Sequence, residues 1–260
     1  MCPMTGKGIV QIGVGTQRAE DEIIMRLGER QNLTLGENFV RVDSDTMTRP
    51  SDYFDILDRF SRGDIKLMLG TQMIAKGLDF PNVTLVGILN ADTSLSIPDF
   101  RAEERTFQLI AQVAGRAGRS QTPGHVVVQT MNPRNAAIIL ASEHNFPKFA
   151  DQELKTRRSC NLPPASRMAR IICRDPDQTK VRTRATELAD ALVKVADPSV
   201  TVEGPMECTI ARISNQSRWG IELIAPNSVL IQKPIAELRK QGLLKSDAST
   251  IIDMDPIWLM

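Results

Sequence analysis

The residues best suited to chemistry in this chain lie in the run Gln112-Val-Ala-Gly115-Arg116-Ala-Gly118-Arg119. Positions 112, 116 and 119 are spaced i, i+4 and i+7, so on a helix they share one face. Gly115 and Gly118 clear side chains from beside the two arginines. Two guanidiniums on a bare face suit a polyphosphate, because each can hold its oxygens through paired donors. The competing reading is a solvated basic helix end, where arginine also complements the helix dipole. That reading has no use for the glycines, each of which costs about 1 kcal/mol against alanine in a helix.

A second run, Gly70-Thr71-Gln-Met-Ile-Ala-Lys76-Gly77-Leu78-Asp79-Phe-Pro81, follows one strand-like stretch and leads into the next. In open α/β sheets the loops at the carboxyl ends of the strands form the ligand crevice. Lys76, Gly77 and Asp79 therefore fall where a nucleotide or a backbone phosphate would lie. An ordinary strand-to-strand connection stopped by Pro81 explains the same residues equally well. A third group, Lys155, Arg157, Arg158, Arg167 and Arg170, sits in a stretch with no acid from 155 to 170. It is either a DNA-backbone track, in which each phosphate contact adds salt-dependent affinity, or a solvated linker. Trp219, after Arg212 and Arg218, reads more naturally as core or sheet edge than as a base-stacking residue.

These residues need elements to hold them. The first part of the chain alternates strand-like and helix-like runs. Strands are expected at Ile9–Ile12, Phe39–Val42, Lys66–Leu69, Val83–Leu89 and Gly124–Thr130. Helices are expected from Thr16 to Arg30, Tyr53 to Phe60, Phe100 to Ala117 with Asp99 as cap, and Arg134 to Glu143. Val83–Leu89 is almost continuously apolar, as a strand covered on both faces should be. Strands separated by helices imply an α/β fold with a parallel sheet. From Pro163-Pro164 the rhythm changes. Strands at Arg167–Cys173, Val200–Glu203, Cys208–Ile213, Trp219–Ile224 and Thr250–Met254 alternate with helices at Gln178–Ala196 and Val229–Gln241. The order approximates β-α-β-β-α-β, a small α+β domain. The expected division is residues 1–160 and 161–260.

Composition bounds the rest. The chain has 260 residues, 42% hydrophobic and 24% charged, as a globular protein should. Lys plus Arg number 32 and Asp plus Glu 31, so the net charge of +1 neither supports nor excludes a nucleic-acid partner. The cysteines, Cys2, Cys160, Cys173 and Cys208, form no CxxC pair and the histidines are only His125 and His144. A disulfide framework is not expected, and a cytoplasmic location is. No apolar run is long enough to span a bilayer, and the N-terminus lacks the features of a signal peptide.

Gly70-Thr71 with Lys76-Gly77-Leu78-Asp79-Phe-Pro81, followed by Gln112 through Arg119, resembles motifs V and VI of superfamily 2 helicases. Gly13-Val-Gly-Thr-Gln-Arg, Arg41-Val-Asp-Ser-Asp-Thr, Leu89-Asn-Ala-Asp-Thr-Ser-Leu, Pro98-Asp-Phe-Arg-Ala-Glu-Glu-Arg and Ile252-Asp-Met-Asp-Pro narrow the likeness. Together they resemble the C-terminal half of the primosomal protein N-prime (PriA) family of replication-restart DNA helicases, nearly end to end. The resemblance implies a RecA-like second motor lobe followed by the small α+β domain. It implies that Arg116 and Arg119 reach ATP and Mg held by a first lobe, one as an arginine finger. Such a finger is worth roughly 10³–10⁵ in rate in other phosphoryl-transfer enzymes. Gln112 would couple nucleotide to DNA, Gly77 and Asp79 would border the nucleotide, and Thr71 would touch the DNA backbone; Lys76, by its place in the loop, and Arg157 and Arg158, by their place in the basic stretch, are the further DNA-binding candidates. The implied partners are branched or single-stranded DNA, primosome and single-strand-binding proteins, and the missing N-terminal motor half. Translocation would run 3′ to 5′.

Three departures qualify the likeness. No Walker A loop and no acidic box is present, since Thr5-Gly-Lys7-Gly8 lacks the first glycine and the metal-binding hydroxyl. The chain is therefore not expected to hydrolyse ATP alone. The family's zinc region is reduced to Cys2-Pro-Met-Thr5, with Thr5 where a second cysteine would stand, so Cys2 is at most a relic metal ligand. Leu78 replaces the family's usual histidine. The alternatives to a motor half are a non-catalytic DNA- or primosome-binding module and a truncated gene remnant.

Overall fold

The computed structural model describes residues 15–43, 50–71, 74, 82–115, 124–245 and 247–259. They fall into two compact units, one drawn from Met1–Ser96 and Glu103–Phe146, the other from Ile97–Ala102 and Pro147–Met260.

The first unit contains α1 (Thr16–Gln31), β1 (Phe39–Val42), α2 (Pro50–Arg62), β2 (Leu67–Gly70), β3 (Leu85–Ile88), α3 (Asp92–Leu95), most of α4 (Ala102–Ala114), β4 (His125–Val128) and α5 (Ala136–Ser142). β1 pairs with β2 and β3 with β4, both parallel, with Val42 opposite Gly70 and Ile88 opposite Val128. Parallel neighbours need a crossover, and α2 lies in the first while α4 lies in the second. The α/β expectation holds, with the described strands forming two parallel pairs. α2 buries Ile56 against Val40, Val42 and Ile65, with Tyr53 and Phe60 alongside. It stops at Gly63, whose φ of 84° is left-handed, and the amides of Gly63 and Asp64 return to Phe60 and Arg59.

α4 begins later than the sequence suggests. The Asp99 carboxylate accepts from the Arg101 amide at 2.9 Å and its carbonyl from the Ala102 amide at 2.9 Å. Asp99 thus closes a turn ahead of the helix, which starts at Ala102 rather than Phe100. Phe107, Ile110 and Val113 are buried along one stripe of α4.

The second unit holds α6 (Phe146–Ser159, apart from its first residue), β5 (Arg167–Asp175), α7 (Gln178–Val195), β6 (Thr201–Ile213), β7 (Gln216–Ala225), α8 (Ser228–Lys240) and β8 (Thr250–Met254). The β-α-β-β-α-β order is as expected, in an antiparallel sheet ordered β6-β7-β5-β8. α7 and α8 cover one face. Val181, Leu188 and Leu192 of α7 and Ile231 and Leu238 of α8 pack on Ala169, Ile171, Ile221 and Leu223. Each fully buried aliphatic side chain of this kind is worth about 1.5–3 kcal/mol. Asp177 caps α7 through the Thr179 and Lys180 amides, and Asn227 caps α8 through the Leu230 amide.

Two features depart from the sequence reading. β6 is one strand of 13 residues rather than two. β6 is an edge strand, where a bulge between Glu203 and Met206 accommodates Pro205. α6 was not expected. Its i, i+4 pairs Asp151–Lys155 (2.7 Å) and Glu153–Arg157 (2.8 Å) were the available signal.

Candidate nucleotide and DNA interface

Gly70 and Thr71 end β2 at its carboxyl edge. A Cβ at Gly70 would stand 2.4 Å from the Val42 carbonyl oxygen. Glycine is therefore required for β1 and β2 to approach this closely. Thr71 follows, exposed. On the neighbouring strand end, Asp43 is 5% exposed and accepts from Thr16 Oγ1 at 2.8 Å. Arg41 joins it at 3.0 Å and also meets Glu20 at 3.3 Å. Two runs that the sequence presents separately, one through Thr16 and one through Arg41-Val-Asp43, thus converge at the carboxyl end of β1. Sequence reasoning named both as family signatures but had no signal for their pairing.

A second lock lies at the ends of β3 and β4. The Asp92 carboxylate accepts from the Met131 amide at 2.7 Å and from Thr130 Oγ1 at 3.0 Å. The Met131 N–H is the main reason its carboxyl sits below the usual carboxylate range, with Thr130 adding to it. Asn90, with a left-handed φ of 52°, turns the chain so that the amides of Asn90 and Ala91 reach Gln129. This pairing fixes the run Leu89-Asn-Ala-Asp92 beside the end of β4.

Gln112 lies on α4 and is exposed, flanked by Ala111 and buried Val113. Gly115 continues the helical bonding through its amide to Ala111 at 3.0 Å. Among the described residues, a Cβ added there would meet only the Ala111 and Gln112 carbonyl oxygens, at 3.5 and 3.7 Å. Arg116, Arg119, Lys76, Gly77, Asp79 and Cys2 lie outside the described residues.

The basic stretch resolves unevenly. Arg157 is 7% exposed, donates from Nε to Glu153 at 2.8 Å and from its NH1 nitrogen to the Pro163 carbonyl at 3.4 Å. Its guanidinium also lies over the Phe100 ring, 5.1 Å from the centroid. That removes Arg157 from any surface phosphate track, because its donors are committed inside the fold. Arg170 is also buried, 3.7 Å from Glu222. Burial pushes the Glu222 carboxyl up, with Arg170 opposing the shift. Lys155 and Arg167 pair at the surface with Asp151 and Asp255. Arg158 is exposed. Trp219 packs on the helix-covered core, with Arg182 over its ring at 5.6 Å. Among the described residues no cluster of metal-ligating side chains occurs, and no helix is long and apolar enough to cross a membrane.

Residues 11–121 match the family model for the helicase conserved C-terminal domain, and residues 158–257 match that for the primosomal protein N C-terminal domain. Over 251 residues the chain is 38% identical to the replication restart protein PriA of Bacillus subtilis, covering 95% of this chain. It is 32% identical to the PriA of a Synechocystis species over 258 residues, 99% of this chain. The chain belongs to the PriA family. It corresponds to the family's C-terminal part and spans about 30% of the length of these two relatives. The Haemophilus influenzae PriA is 33% identical over 249 residues, 95% of this chain and 33% of its own length. The sequence likeness drawn from motifs V and VI lies within the residues that match the helicase model.

Proposed function

We propose that this chain is the C-terminal half of an ATP-dependent superfamily 2 DNA helicase that acts in replication restart. Its first unit supplies the second motor lobe, which works against a first lobe. ATP and Mg bind at the boundary of the two lobes, with Arg116 and Arg119 on the phosphates and Gly77 and Asp79 bordering the nucleotide. Gln112 couples that site to DNA, and Thr71, Lys76 and Arg158 hold the DNA backbone. Translocation runs 3′ to 5′ on branched or single-stranded DNA in the cytoplasm, with primosome and single-strand-binding proteins as partners.

The observation that carries this reading is α4. It presents Gln112 to solvent, and the sequence continues through Gly115 directly into Arg116. On the helical face that the i, i+4, i+7 spacing implies, Gln112, Arg116 and Arg119 would together bind phosphate once a partner surface completes the site. Purified alone, the chain should release no phosphate from ATP. Mixed with an N-terminal motor half from a PriA relative, it should give DNA-stimulated hydrolysis. Hydrolysis by the chain alone would contradict the proposal.

A non-catalytic DNA-binding module is the second reading, and exposed Arg158 together with Lys155 and Arg167 at the surface of the second unit favours it. On that reading DNA affinity survives Arg116→Ala and Arg119→Ala.

A further inference from the structure

Ile97–Ala102 belongs to the second unit although the chain before and after it belongs to the first. The residues that hold this loop come from the far end of the sequence. Asp99 is 8% exposed, and its carboxylate accepts from the Leu259 amide at 3.2 Å while also accepting from Arg101. Arg101 donates to the Ile257 carbonyl at 3.4 Å. Leu259, 9% exposed, packs with Met168 and Ile224, and Phe100 and Leu162 lie against the same cluster. Met168 and Ile224 alternate with the core residues Ala169 and Leu223, so this cluster occupies the face of the sheet away from α7 and α8. Phe100 is held further by Arg157 and Arg101, each 5.1 Å from its ring centroid. Arg157 is in turn fixed by Glu153 of α6.

We propose that the C-terminal tail, Ile257–Leu259, is a strap within the second unit that fixes the 97–101 loop and with it Ala102, the residue at which α4 begins. The loop runs without interruption into α4, and α4 carries Gln112 and leads to Arg116. The Asp99 carboxylate takes the Leu259 amide from the tail and the Arg101 amide from the turn ahead of the helix, and so ties tail and turn together. The apolar cluster of Met168, Ile224 and Leu259, with Phe100 packed against it, keeps water from competing for those bonds. Asp99, Phe100 and Leu259 are positioning residues. This step rests on the proposed motor role only for its effect on catalysis. The strap itself is a property of this chain.

The test has two arms on the full chain. In Asp99→Asn and Leu259→Ala, amide exchange at Arg101 and Ala102 should quicken by about tenfold while α7 amides keep their protection. In the chain mixed with an N-terminal motor half, both variants should lower kcat by about tenfold with KM for ATP unchanged. Unchanged exchange at Arg101 and Ala102, or equal loss of protection in α7, overturns the strap. Quickened exchange with unchanged kcat overturns its positioning role. If Arg116→Ala also leaves hydrolysis unchanged, the motor reading fails instead, and the exchange arm still decides the strap.

Discussion

Arg157 and Arg158 are neighbours in sequence and opposites in physics. One turn of helix places Arg157 over Phe100 with Glu153 beneath it, and its donors face inward. Arg158 is exposed one position later. Removing one partner of a buried ion pair leaves the other unpaired, so Arg157→Ala should cost on the order of 3 kcal/mol of stability, read by denaturant titration. Arg158→Ala should leave stability unchanged within about 0.5 kcal/mol. On the proposed function it should also weaken DNA binding in a salt-dependent way, measured by fluorescence anisotropy at two ionic strengths. Equal effects on stability would contradict this assignment. The acid-free stretch from 155 to 170 concealed the distinction. Its acids, Asp151 and Glu153, stand one helical turn upstream, where a reading of local charge does not look.

The elements were legible in proportion to how local their causes are. Val181, Leu188 and Leu192 repeat at helical spacing, and α7 lies where that spacing puts it. The four-residue strands β1 to β4 were visible as apolar or β-branched runs, but their pairing depends on distant partners. Gly70 shows the difference. Its place at a strand end was readable, whereas its need to be glycine comes from the Val42 carbonyl 2.4 Å from its absent Cβ. Gly70→Ala should force β1 and β2 apart and cost about 1–3 kcal/mol, measured as a lowered denaturant midpoint with unchanged slope. β6 was read as two strands, and only the sheet order reveals an edge that tolerates Pro205. α6 escaped notice because its stabilising pairs and the packing of Phe149 are recognised only once it is helical.

At the scale of the whole molecule, the chain is a family's C-terminal part with two units, and the second takes back a loop from within the first. That exchange could not be read from sequence, since 160 residues separate Asp99 from Leu259. Motif order made the family legible. The most direct measurement is single-turnover ATP hydrolysis by the chain mixed with an N-terminal motor half, comparing the natural sequence with Arg116→Ala at saturating DNA. The account predicts that nucleotide affinity changes little while the hydrolysis step slows by roughly 10³ or more. Hydrolysis at the natural rate with Arg116→Ala would contradict it.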